Sequence, residues 1–142
     1  MPDVNRVQQL LGVEIPIVQA PMTFIARARL AAAVSEAGGM GIIETLTAEG
    51  REDLVKVCEL TDKPVGANLL VAGWKHDPSI VDTLVEAGVS YVATSAGDPA
   101  LFTDRLKDAG LTVFHVVGSL RAAQKAEAAG VDGLVVEGVE GG

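Results

Sequence analysis

Apolar positions along this chain alternate between two periodicities. Short apolar runs at residues 40–43, 89–93, 111–117 and 131–136 each begin just after an Ala-Gly pair: Ala37-Gly38, Ala87-Gly88, Ala109-Gly110 and Ala129-Gly130. Ahead of these pairs apolar residues recur at helical spacing, as in Leu30, Ala33, Val34 and Ala37, and again in Val81, Leu84 and Val85. That spacing buries one face of a helix. A glycine one residue past a helix takes the left-handed conformation that ends it and satisfies its last carbonyls. The pattern predicts strands at 15–19, 41–44, 65–70, 90–94, 112–117 and 133–137. Helices are expected at 25–37, 48–60, 79–87, 100–109 and 120–129, with a short leading helix at 7–11. Asp77-Pro78 and Asp98-Pro99 supply a capping carboxylate before a proline at the first helical position, and Thr47 and Ser119 offer a hydroxyl cap.

Repeated helix, stop and buried strand is the rhythm of an α/β protein with a parallel sheet. Two architectures fit, an open doubly wound sheet and a TIM (β/α)8 barrel. The doubly wound fold usually carries a G-x-G-x-x-G turn after its first strand. Here that strand ends in Gln19-Ala20-Pro21-Met22-Thr23, without glycine. The short, even repeat favours the barrel, and with six strands in 142 residues the expectation is a barrel truncated after about six β/α strands.

Composition narrows the function classes. Hydrophobic residues make up 49% of the chain, which suits a packed core in a single domain. No apolar run approaches the ~20 residues of a membrane span, and the N-terminal residues lack a signal-peptide pattern. The net charge of −8, with Lys and Arg scattered, argues against nucleic-acid and anionic-membrane partners. Cys58 is the only cysteine, so an internal disulfide and a cysteine-rich zinc site are ruled out. No metal is expected, and a cytoplasmic location is the default.

In a barrel the C-terminal strand ends form the active-site rim. Gln19, Asn68, Thr94, Ser95, His115, Ser119 and Glu137 all fall at or just past that edge. Ser119 reads as a helix cap. Asn68 interrupts an apolar strand, so its amide requires either a ligand or a structural hydrogen bond. Ala20-Pro21-Met22 lets backbone approach a flat ring closely, or simply ends the strand. The tail Glu137-Gly138-Val139-Glu140-Gly141-Gly142 either exposes backbone N–H groups to a ligand or forms a surface loop. His115 could face the barrel interior or the helices, His76 lies in a solvated loop, and Trp74 either walls a pocket or packs. Cys58, beside Leu54 and Val57, reads as core.

Four segments taken in order carry a resemblance. They are Ile15-Pro16-Ile17-Val18-Gln19-Ala20-Pro21-Met22, Ala37-Gly38-Gly39-Met40-Gly41, Lys63-Pro64-Val65-Gly66-Ala67-Asn68 and the tail from Glu137 to Gly142. Together they resemble the nitronate monooxygenase (2-nitropropane dioxygenase) family, which includes the FMN-dependent enoyl-ACP reductases. The resemblance implies that residues 1–142 are the N-terminal part of a single TIM-barrel domain binding FMN at the strand C-termini. It implies that Ala20, Pro21 and Met22 line the flavin ring and that Asn68 hydrogen-bonds to the cofactor. It also implies cofactor binding by Glu137, which closes the last strand, and by Gly141 and Gly142, which begin the cofactor-contacting glycine loop. The expected activity is oxidation of alkyl nitronates with O2. The alternatives are an NAD(P)H-dependent enoyl-ACP reductase and an inactive fragment without flavin. In many members the glycine run leads into a histidine base, so no catalytic residue is assigned up to Gly142. Many members also carry a strand-five lysine where this chain has His115-Val116-Val117. The resemblance places the phosphate loops after strands seven and eight, so FMN should be held weakly by these residues alone. The expected partner is a small-molecule substrate, and a homo-oligomer is an open alternative.

Overall fold

The Ala-Gly stops work as the pattern predicts: Gly38, Gly88, Gly110 and Gly130 have φ of +94°, +72°, +83° and +80°. In the computed structural model, which describes residues 5–140, each lies between a helix and the strand that follows it. The leading helix α1 (Arg6–Leu11) precedes α2 (Ala28–Glu36), β1 (Gly41–Ile43), α3 (Ala48–Leu60) and β2 (Val65–Leu70). Next come a short α4 (Val71–Trp74), α5 (Ile80–Glu86), β3 (Tyr91–Ser95), a 3-10 turn (Pro99–Leu101) and α6 (Thr103–Asp108). The chain continues through β4 (Thr112–Val117), α7 (Leu120–Ala128) and β5 (Gly133–Val136). All neighbouring strands are parallel, and their order in the sheet is β1-β2-β3-β4-β5. A doubly wound sheet reverses strand order at a switch point, whereas sequential parallel order with a helix after each strand is the arc of a TIM barrel.

Over β1–β4 both sheet faces are covered, as parallel sheets require. Ile43, Val65, Ala67, Leu69, Val92 and Val113 pack outward against Ala31 of α2, Leu54 and Val57 of α3, Leu84 of α5 and Leu106 of α6. Met40, Ile42, Tyr91, Ala93 and Phe114 pack inward with Leu11 of α1. Tyr91 and Phe114 meet edge to face at 5.3 Å.

Four elements differ from the sequence pattern. Residues 15–19 form a single parallel bridge, Val18 to Met40, in place of a strand. Prolines explain this. Gln19 N donates to Met40 O and Met40 N to Ile17 O, but Pro16 and Pro21 have no N–H to extend the ladder. The Gln19 side chain substitutes, its Nε2 donating to Ile42 O at 3.0 Å. The second helix begins at Ala28, not 25, because the segment before it turns with Phe24 at φ +65°. The helix expected at 100–109 splits into the 3-10 turn and α6, and α4 follows β2 directly, where a loop was expected. Cys58 is exposed, so it is not core. It lies one position beyond the buried Leu54–Val57 stripe of α3.

The start of α2 has no local side-chain cap, and its cap comes from another helix. Asp53 of α3 accepts from Ala28 N at 3.1 Å, Arg27 Nε at 2.7 Å and Lys56 Nζ at 3.1 Å. Burial pushes this carboxyl up, but the three donors outweigh it and hold the pKa at about 2. A carboxyl whose folded pKa is depressed contributes stability that is full above its unfolded value and lost as pH falls through the folded one. Stability should therefore fall by about 2 kcal/mol between roughly pH 4 and pH 2. Asp53→Asn should flatten that limb in acid melts.

On the last strand, Val136 is 80% exposed and Leu134 and Val135 are more than one-third exposed. An apolar edge strand pairs with other chains. The 142-residue polypeptide is expected to self-associate in sedimentation, and Val136→Lys to reduce that association. A compact monomer at all concentrations would contradict this.

Candidate functional site

A cavity of about 640 Å3 opens where the strands end, within the size range of small-molecule sites. Its lining includes Ala20, Pro21 and Met22 from the loop after the Val18 bridge, and Glu44, one residue past β1. Asn68 and Leu70 come from the end of β2, Ser95 from β3, Val116 from β4 and Glu137 from just past β5. Parallel strands in sequential order bring their C-terminal residues to one rim, so the fold gathers these positions. Ala20, Pro21, Met22, Asn68 and Glu137 thus share one cavity. Gly141 and Gly142 lie outside the described residues.

Asn68 is buried, and its Nδ2 donates to Ala93 O at 3.1 Å and to Ser95 Oγ at 3.4 Å. Both amide hydrogens are used within the protein, which leaves Oδ1 as the free acceptor. Gln19 shows the same logic: its Nε2 donates to Ile42 O at 3.0 Å and Ala20 O at 3.2 Å. Its Oε1, like the Tyr91 hydroxyl at the base of the cavity, is enclosed and has no partner. Burial pushes the Tyr91 phenol well above its ordinary value, so it stays protonated. Tyr91→Phe removes an unpaired buried hydroxyl and is expected to hold or raise the melting temperature. A clear drop in a thermal melt would contradict that reading.

Glu44 is buried and aimed back into its own loop. Its carboxylate accepts from Leu46 N at 3.0 Å, Thr47 N at 3.1 Å and the Thr47 hydroxyl. Thr47 in turn caps α3 through Gly50 N at 3.0 Å. A Cβ at Gly50 would lie 2.6 Å from Glu44 Oε1, so glycine there makes room for the carboxylate. Sequence reasoning missed Glu44. The available signal was a carboxylate ending an apolar strand three residues before a helix cap.

Other expected positions lie elsewhere. Thr94 and His115 alternate to the helix side of the sheet, with Thr94 Oγ1 and His115 Nδ1 2.7 Å apart. Desolvation depresses the His115 pKa; Asp98 opposes this and Lys125 adds to it, so the ring is neutral near pH 7. It does not line the cavity and is not a base for chemistry there. Ser119 caps α7 through Ala122 N at 3.2 Å. Trp74 packs against the outer core with the Arg51 guanidinium 5.3 Å from its ring centre. His76 is exposed. Among the described residues no cluster of His, Cys, Asp or Glu is placed to hold a metal ion, and no helix is long and apolar enough to cross a membrane.

Comparison with known proteins places this geometry. The family model for nitronate monooxygenase matches residues 5–80. The chain is 35% identical over 137 residues to the (3aS,4S,5R,7aS)-5-hydroxy-7a-methyl-1-oxo-octahydro-1H-indene-4-carboxyl-CoA dehydrogenase of Mycobacterium tuberculosis, covering 94% of this chain and 38% of that protein. It is 30% identical over 178 residues to a nitronate monooxygenase of Paraburkholderia phytofirmans, covering 94% of this chain and 48% of that one. FabK from Thermotoga maritima superposes with a TM-score of 0.85 at 38% identity, covering 95% of this chain and 44% of that one. Nitroalkane oxidase from Streptomyces ansochromogenes gives 0.77 at 28%, covering 94% and 48%. The chain therefore spans between 38% and 48% of the length of these relatives. Both structural neighbours are TIM barrels, in agreement with the sequential parallel sheet. With more than half of its residues matched by the family model, the chain belongs to the nitronate monooxygenase family.

Proposed function

We propose that this chain carries the ring-binding residues of an FMN-dependent oxidoreductase. The observation behind this reading is the rim cavity, where small and apolar residues surround Asn68 Oδ1, an acceptor oriented by the two hydrogen bonds that its amide nitrogen donates. Ala20, Pro21, Met22, Ala93 and Val116 suit the faces of a flat ring, and Asn68 Oδ1 suits a ring N–H. The phosphate does not fit here, since no Lys, Arg or His lines the cavity among the described residues. Bound FMN would supply two-electron redox chemistry. The protein's own residues hold the ring edge and exclude water from its faces, with Glu137 at the mouth as a further contact.

Two substrate readings follow from the family. In the first, an alkyl nitronate gives up electrons and O2 takes them, as the family description suggests. In the second, the substrate is an acyl thioester, with NAD(P)H as the electron donor in the enoyl-reductase form. The specific support for a thioester is the 35% identity to a carboxyl-CoA dehydrogenase. Anaerobic mixing of the FMN-bound protein with ethyl nitronate, or separately with NADH or NADPH, tests both. Bleaching of the flavin by a nicotinamide supports the reductase, and bleaching by nitronate supports the monooxygenase. If neither bleaches it, the oxidoreductase reading fails.

A further inference from the structure

The third strand ends in a serine whose hydroxyl hydrogen is uncommitted. Tyr91, Ala93 and Ser95 alternate onto the inner face of β3, and all three line the cavity. Asn68 pairs with Ala93 and Leu70 with Ser95, so the serine sits diagonally from the asparagine, one step nearer the rim. A serine hydroxyl has one hydrogen to donate and two lone pairs. One lone pair accepts from Asn68 Nδ2 at 3.4 Å, and among the described residues no protein oxygen takes the hydrogen. The Tyr91 hydroxyl also has a hydrogen to give, but it belongs to a residue with 0% exposure at the base of the cavity. Ser95 is half-buried, within reach of a ligand. A strained turn holds it there. Ala96 has φ +50°, a left-handed conformation that alanine rarely takes, and its carbonyl accepts from Ala72 N at 3.0 Å. At Gly97 a Cβ would lie 2.5 Å from Val71 Cγ1, so the turn is packed tightly onto α4. Strain of this kind persists where the surroundings over-determine it, and here it fixes Ser95 before any ligand arrives.

We infer that Ser95 is a further flavin-contacting residue and that it works as a pair with Asn68. The acceptor Asn68 Oδ1 and the donor Ser95 Oγ match the edge of the flavin ring on which an N–H stands beside carbonyl oxygens. Asn68 takes the N–H, and the Ser95 hydroxyl donates to an adjacent carbonyl. A single acceptor leaves the ring free to pivot about one hydrogen bond, and the second contact stops that motion. The inference rests on the proposed reading of the cavity as a flavin site.

Equilibrium binding of FMN, and of lumiflavin as the ring without its phosphate, to Ser95→Ala and Ser95→Thr tests it. Ser95→Ala is expected to weaken both ligands about three- to tenfold, the worth of one hydrogen bond, while Ser95→Thr stays within about twofold of wild type. Infrared spectra of the bound ring give a second readout. A carbonyl that loses its donor stretches at higher wavenumber, so a ring C=O band should rise in Ser95→Ala and hold in Ser95→Thr. Weaker binding with unmoved carbonyl bands would show that Ser95 only orients the Asn68 amide, and would overturn the inference. Unchanged affinity in Ser95→Ala would overturn it too. In both cases wild type still binds the ring, and the flavin reading stands. If wild type binds neither FMN nor lumiflavin, the flavin reading fails and this inference falls with it.

Discussion

Alanine at Gly41 is expected to destabilise this protein by several kcal/mol, enough to leave little folded material at room temperature. A Cβ at that position would lie 2.0 Å from Ala31 O and 2.6 Å from Ala31 C and Cα. The obstacle is helix backbone, which cannot rotate away as a side chain can. To admit the methyl group, α2 would have to lift off β1, and the packing of Ala28, Ala31 and Ile43 would open with it. The hydrogen bond from Gly41 N to Ser35 Oγ, 3.1 Å, would be strained by the same movement. Chemical denaturation with circular dichroism checks this. Near wild-type stability would mean that α2 and β1 are not in this contact.

Aspartate at Asn68 is expected to have the second-largest effect, and it acts on fold and site together. The substitution removes both donors that serve Ala93 O and Ser95 Oγ and puts carboxylate oxygens against them in a buried position. Burying that uncompensated charge should cost about 2–4 kcal/mol, seen as a melting point lower by ~10 °C. Flavin affinity should fall at least tenfold at pH 7. The new carboxyl, desolvated and near other carboxylates, should have a raised pKa. Part of both losses should therefore return as pH falls below about 6. Asn68→Ala should be milder on binding, near one or two hydrogen bonds at about 0.5–1.5 kcal/mol each. Thermal melts and equilibrium FMN titration of the two variants, each at two pH values, give the comparison.

Much of the architecture was legible because its signals are local. The four Ala-Gly stops, the caps at Thr47, Asp98 and Ser119, and the apolar runs between them each act within one turn of chain. Elements that depend on distant partners were not legible. The segment at 15–19 reads as a strand by composition, but its two prolines leave room for one bridge only. The start of α2 could not be located because its cap, Asp53, comes from 25 residues away. At the site, strand ends pointed to Asn68 and Glu137, but period alone could not say which way His115 faces. The T-shaped Tyr91–Phe114 pair fixes the inward face, and His115 falls on the other. Glu44 escaped because a carboxylate ending a buried strand looks like an ordinary loop residue. Only Gly50 and Thr47, which surround it, reveal that it is held inside.

The central claim is that the rim cavity holds a flavin ring with Asn68 at its edge. A crystal structure of the protein soaked with FMN tests it most directly. The account predicts the ring against Ala20, Pro21 and Met22, with a ring N–H within hydrogen-bonding distance of Asn68 Oδ1 and the phosphate directed away from Glu44. Flavin bound at the opposite end of the strands, or in this cavity with Asn68 Oδ1 out of reach of the ring, would contradict it.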